Sequence, residues 1–167
     1  MATNEYAFID KFFAPCDMGT AYEYISTIRQ YPLWWGRVYK RIEKLNAIPD
    51  NKPGVRYAIT ISGFLPYRLS ITNEVIYSRK PDIIQFEAMG DLRGRGTWYF
   101  AECEGGTEIT FDWRVVANKA VLRLISFLLK PLFRANHHFC IVEAEKGIRK
   151  DLMKKGKIVA APRRGGL

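Results

Sequence analysis

Thr97-Trp98-Tyr99-Phe100-Ala101-Glu102-Cys103-Glu104-Gly105-Gly106-Thr107-Glu108-Ile109-Thr110-Phe111-Asp112-Trp113-Arg114-Val115 decides how this chain is read. Trp98 and Phe100 alternate with Thr97 and Tyr99. Past Gly105-Gly106, Ile109, Phe111, Trp113 and Val115 alternate with Glu108, Thr110, Asp112 and Arg114. A period of two places alternate side chains on opposite faces of a strand, so each run has one apolar and one wet face. A Gly-Gly pair between two such runs is a hairpin turn.

The same period extends upstream. Leu69, Ile71, Asn73 and Val75 alternate with Arg68, Ser70, Thr72 and Glu74, and Tyr57, Ile59 and Ile61 alternate with Arg56, Ala58 and Thr60. Ile84, Phe86 and Ala88 stand opposite Gln85 and Glu87. Asp50-Asn51-Lys52-Pro53-Gly54 and Arg79-Lys80-Pro81-Asp82 are turns, and Gly90, Gly94 and Gly96 suggest a loop or a bulged strand start. Ile42–Ile48 reads as a further strand. Glu5–Ala14 reads as the first one, with alternation poor enough that both faces could be covered. Between them, Asp17 is a plausible N-cap for a helix through Ala21, Tyr24, Ile25 and Ile28. Pro32 fits the first turn of a second short helix through Trp34, Trp35 and Val38.

After Asn118, a candidate N-cap, the period becomes helical. Val121–Leu129 is strongly apolar, Pro131 should kink or restart the helix, and Phe133, His137, Cys140, Ile141, Ala144, Ile148 and Leu152 form one stripe. The order is strand, two short helices, six strands, long helix. This is an α+β domain in which an antiparallel meander must cover its apolar face, and the long helix is the available cover.

The chain has 167 residues, 48% hydrophobic and 14% aromatic, which suits one domain and excludes a disordered chain. No repeat or linker divides it. Residues 1–155 are expected to form the domain, and residues 156–167 a basic, flexible tail. The net charge is +9, with Lys146, Arg149, Lys150, Lys154, Lys155, Lys157, Arg163 and Arg164 near the C-terminus. Such charge attracts anionic partners in general. No nucleic-acid-binding pattern is present, so no specific nucleic acid is expected, whereas the basic end with Val121–Phe133 could touch an anionic membrane peripherally. No run approaches the ~20 apolar residues of a membrane span, no signal-peptide core precedes residue 12, and a cytoplasmic location is expected. Cys16, Cys103 and Cys140 are odd in number and widely spaced, which fits reduced thiols rather than a disulfide framework or metal site. No cofactor motif is present: Gly90–Gly96 lacks the Lys-Ser/Thr of a phosphate loop, and no helix follows it.

If the sheet curls, one helix need not fill its concavity. The remaining space would be an apolar pocket lined by Leu69, Ile71, Phe86, Trp98, Phe100, Phe111 and Trp113 from the strands and by Phe133, His137 and Cys140 from the helix. A packed core is the alternative. Trp34-Trp35 would close one end, with only one of the two rings facing inward because neighbouring helical positions diverge by about 100°. Asn73 and His137 are the polar residues on these otherwise apolar faces, and each needs a partner, either internal or a ligand oxygen. A Cys140–His137 nucleophile has no evident orienting group, and the Glu108 and Asp112 carboxylates should point outward.

Four stretches, in order, carry a resemblance: Tyr31-Pro32-Leu33-Trp34-Trp35, Ala88-Met89-Gly90-Asp91-Leu92-Arg93-Gly94, Gly105-Gly106-Thr107-Glu108-Ile109-Thr110 with Trp113, and Asn136-His137 followed by Glu145-Lys146-Gly147-Ile148. Together they resemble the START-like (birch-pollen-allergen-like, SRPBCC) helix-grip superfamily, in particular its polyketide cyclase/dehydrase and lipid-transport group. The resemblance implies a curved seven-stranded antiparallel sheet wrapped around the long C-terminal helix. It also implies a cavity for a hydrophobic small molecule such as a lipid, quinone or polyketide. Carriers and enzymes share the fold, so two functions follow as expectations. One is binding, with or without transport. The other is a cyclase/dehydratase-like enzyme with His137 as acid/base. Neither the catalytic set nor the oligomeric state follows from the resemblance.

Overall fold

The computed structural model describes residues 5–118 and 120–159, and for residues 120–130 the backbone alone. Seven strands, β1 (Glu5–Ala14), β2 (Tyr39–Lys44), β3 (Arg56–Ile61), β4 (Leu69–Arg79), β5 (Ile83–Gly90), β6 (Leu92–Cys103) and β7 (Gly106–Ala117), form one sheet in the order β1-β7-β6-β5-β4-β3-β2. All pairings are antiparallel. β2 to β7 are a meander, while β1 crosses over to close against β7. The connection from β1 to β2 holds α1 (Met18–Ser26), a 3-10 turn (Ile28–Gln30) and the single-turn α2 (Tyr31–Trp34). The helix α3 (Ala120–Lys154) follows the last strand. This is the helix-grip architecture expected from the sequence.

The period of two is realised residue by residue. Leu69, Ile71, Asn73 and Val75 are buried while their neighbours are not, and the same holds for Ile109, Phe111, Trp113 and Val115. β1 alternates better than its composition suggests. Tyr6, Phe8, Asp10, Phe12 and Ala14 face inward, and Glu5, Ala7, Ile9 and Lys11 are exposed, so one face is wet after all.

Three local expectations change. β2 starts at Tyr39 and stops at Lys44 instead of spanning Ile42–Ile48. The Asn46 amide takes over the pairing there, donating to the Gly54 carbonyl (2.8 Å) and accepting from the Arg56 N–H (3.3 Å), which turns the chain. Gly94 and Gly96 lie at the start of β6, which meets the strand-start alternative and not the loop, and their pairing shows no register shift that would mark a bulge. A Cβ on Gly96 would meet the Phe86 ring at 2.2 Å, so the missing side chain is the room that ring occupies. The side-chain amide of Asn118, the expected cap, donates to the Gly90 carbonyl (3.2 Å). Asp17 does cap α1, accepting from Thr20 N–H at 2.9 Å.

Trp34 and Trp35 are both buried and stack on one another, centroids 5.3 Å apart. The expected divergence fails because α2 ends at Trp34, and Trp35 leaves the helix at φ −121°, ψ 28°. α3 runs through Pro131 as one helix. The side chains of Val121–Leu129 lie outside the described residues. Its C-terminal half is packed: Ile141, Ala144, Ile148 and Leu152 are buried. Phe133, His137 and Cys140, one to two turns earlier on the same stripe, are only partly buried. The helix closes with Gly156 N–H on the Met153 carbonyl (3.2 Å) and Lys157 N–H on Leu152 (3.0 Å). Val159 N–H then bonds the Pro15 carbonyl at 2.9 Å, which ties the chain after the helix to the end of β1. Residues 160–167, with Arg163 and Arg164, lie outside the described residues.

Candidate functional site

The centre of the concave face is filled. Trp98 and Phe111 stack with centroids 3.9 Å apart, Phe86 lies 5.4 Å from Trp113, and Trp35 and Phe12 meet Trp98 edge-on. Close-packed rings of this kind leave no room for a ligand. The space appears at one end, beside the partly buried section of α3. A cavity of about 110 Å³ opens there between β1, β4, β7 and α3. Tyr6, Phe8, Trp113 and Val115 form its floor, and Phe133, Asn136, His137 and Cys140 face it from α3.

The loop between β3 and β4 closes one side, and α3 pins it. Asn136 Oδ1 accepts the backbone N–H groups of Phe64 (2.9 Å) and Leu65 (3.3 Å). The approach is so close that a Cβ on Gly63 would lie 2.0 Å from Asn136 Oδ1. Tyr67, at the end of the same loop, lines the cavity, and burial pushes its hydroxyl up to about 12, so it remains a neutral donor or acceptor.

His137 is the polar centre of the site. Its Nε2 lies 2.8 Å from Asp10 Oδ2, and its ring stacks on Phe8 with centroids 4.1 Å apart. Burial lowers the imidazole from its ordinary value, the Asp10 carboxylate opposes that, and the net direction is down. A neutral ring donating Nε2–H to a carboxylate has an unprotonated Nδ1. Asp10 was missed in the sequence, although the signal is there: a carboxylate in the inward series Tyr6-Phe8-Asp10-Phe12.

Of the twelve expected pocket residues, Leu69, Trp113, Phe133, His137 and Cys140 come together around this cavity. Phe100, Phe111 and Ile71 are buried core residues. Trp34 is buried beneath a separate surface groove between α2 and α3. Asn73, Phe86 and Trp98 line a small void of about 20 Å³, into which Asn51 also faces. Asn51 Oδ1 and Asn73 Oδ1 are buried with no hydrogen-bond partner among the described residues. A void of that size holds one water at most. Burial pushes the Cys140 thiol up to about 12, the wrong direction for a nucleophile. Glu108 points outward, paired with Lys11 at 2.7 Å, and so does Asp112, paired with Arg114 at 3.0 Å. Among the described residues no cluster of three or more His, Cys, Asp or Glu could hold a metal, and no helix is long and apolar enough to cross a membrane.

No protein-family model matches the chain, and no curated sequence does. Solved structures do. The Zhui aromatase/cyclase from Streptomyces sp. R1128 superposes over 98% of this chain and 99% of its own, with a TM-score of 0.72 and 10% identity. The di-domain aromatase/cyclase StfQ of the steffimycin biosynthetic pathway aligns over 91% of this chain and 53% of its own, with a TM-score of 0.64 and 15% identity. A major latex-like protein from Panax ginseng aligns over 81% of this chain and 97% of its own, with a TM-score of 0.57 and 10% identity. The chain spans about half the length of the di-domain proteins StfQ and BexL. At these identities the likeness is one of fold, and that fold is the helix grip.

Proposed function

We propose that the protein binds a hydrophobic small molecule in the cavity between the sheet and α3, and that it carries this molecule rather than transforming it. The observation behind this reading is the gap between the sheet and α3 beside Phe133, His137 and Cys140. It leaves about 110 Å³ of mostly apolar space, against about 10–15 Å³ for one water. The similar folds include aromatase/cyclases and a major latex-like protein, which agrees with a ligand-holding use of this scaffold. Native mass spectrometry of the purified protein, with organic extraction, tests the reading. A co-purifying hydrophobic compound that binds back to stripped protein supports it. No adduct, together with no uptake of any apolar probe, removes it.

The contact of Asp10 with His137 favours a second reading, a cyclase or dehydratase-like enzyme. His137 would exchange a proton with the substrate while Asp10 holds the ring. Unchanged turnover of a polyketide substrate by His137→Ala would exclude that role. Three free thiols suit a reducing compartment such as the cytoplasm. Lys146, Lys150 and Lys154 recur every four residues on α3 beside Leu33, which is 81% exposed. That face suits peripheral contact with an anionic bilayer. Absence of co-sedimentation with acidic liposomes at low salt would remove the contact.

A further inference from the structure

The cavity's size, its lining and the way His137 is held narrow the class of molecule that it takes, an inference resting on the ligand-binding reading above. The first constraint is volume. An apolar cavity of about 150 Å³ is known to accept benzene, and drug-sized ligands need roughly 300–1,000 Å³. At about 110 Å³ between its described lining residues, this one is much nearer to the single-ring scale than to the drug-sized one. The rings of Tyr6, Phe8, Trp113 and Phe133 around it suit a flat aromatic guest.

The second constraint is charge. No Lys or Arg is among the described residues that line the cavity, and the Asp10 carboxylate stands directly behind His137. A carboxylate or phosphate ligand would be desolvated there with no cation among the described lining residues to meet it.

The third constraint is hydrogen-bond polarity. The Asp10 carboxylate serves as the acceptor of this contact, so Nε2 of His137 carries the proton of that bond. Nδ1 is then an acceptor, and it has no hydrogen-bond partner among the described residues. A guest that fits must bring a donor.

We propose that the cavity binds a neutral, single-ring aromatic molecule bearing a hydroxyl group, a phenol in chemical class, whose O–H donates to His137 Nδ1 while Asp10 fixes the tautomer. Asp10 is here a positioning residue that acts through His137.

The test is an NMR titration of the full-length protein with five probes: phenol, benzene, anisole, benzoate and octanoate, each followed at the Trp113, Asn136 and His137 signals. Phenol is expected to bind about five- to tenfold more tightly than benzene or anisole, the value of one hydrogen bond, and the two anions more weakly still. Asp10→Asn keeps the shape but offers an amide N–H to Nε2, which moves the ring proton to Nδ1. The preference for phenol over anisole should then shrink or invert, which a merely structural role of Asp10 would not produce. His137→Gln, as a second variant, should erase the preference for phenol over benzene. Octanoate binding more tightly than phenol would overturn the inference, as would phenol and anisole binding equally to the native protein. If none of the five binds while a larger apolar compound co-purifies, this inference fails and the ligand-binding reading stands. If nothing binds or co-purifies, both fail.

Discussion

Phe111 separates a filled grip from an open one. Its ring is 7% exposed, stacks on Trp98 at 3.9 Å, and has Trp113 at 5.7 Å and Phe86 at 6.2 Å. Replacing it with alanine removes a buried ring from a site walled by strands β5 to β7, which cannot collapse inward without breaking their pairing. The expected loss is therefore in the upper part of the about 3–5 kcal/mol seen for buried Phe→Ala changes. For a chain of this length that is roughly 6–20 °C in Tm. Phe111→Leu keeps most of the volume and should lose less than about 1.5 kcal/mol. Phe133→Ala, at the cavity, removes the same ring from a partly open site and should lose less than half as much as Phe111→Ala. Equilibrium urea unfolding measures all three, with an unchanged denaturant slope as the sign that the comparison is fair. A loss below about 1 kcal/mol for Phe111→Ala, or one equal to that of Phe133→Ala, would refute the division into a packed centre and an open end.

Acid should weaken the fold through Asp50. Burial raises this carboxyl, but Tyr57, Lys44 and Arg29 more than offset that and hold it at about 2. A depressed carboxylate stabilises the folded state above its ordinary value and loses that contribution as pH falls from about 4 through about 2. Asp50→Asn should flatten the stability profile between those limits, and an unchanged slope in acid urea titrations would contradict the assignment. Alkylation with iodoacetamide at pH 8 should modify the exposed Cys103 first, while Cys16 and Cys140, both pushed up to about 12 by burial, react far more slowly. Rapid labelling of Cys140, read by peptide mass spectrometry, would mean an open or activated thiol. Gly63→Ala should force the loop off Asn136 and forfeit two hydrogen bonds, at about 1–3 kcal/mol. Faster amide exchange at Phe64 and Leu65 is the expected readout, and unchanged protection would show that α3 does not pin this loop.

The sheet was legible because its signal is local. Alternation in Leu69–Val75 and Ile109–Val115 fixes which side chains face inward wherever the strands pair, and the turn at Gly105-Gly106 sets their neighbours. The location of the cavity was not legible. Whether Trp98 and Phe111 line a pocket or fill it depends on a ring separation of 3.9 Å, a tertiary distance that alternation along a strand does not carry. The pair Asp10–His137 joins positions 127 residues apart, and nothing in either local sequence names the other. Half of that pair was still visible as a histidine on an apolar stripe. The other half was hidden because Ile9 and Phe13 blur the alternation of the first strand. The burial of both Trp34 and Trp35 escaped a helix-based argument because a one-turn helix ends between them.

Xenon reports where the apolar space of this fold lies without knowledge of the ligand, since it enters dry apolar cavities. In a crystal pressurised with xenon, the account predicts a peak between Tyr6, Trp113, Phe133 and His137, and none between Trp98 and Phe111. An empty His137 end, or xenon lodged in the centre of the sheet, would contradict it.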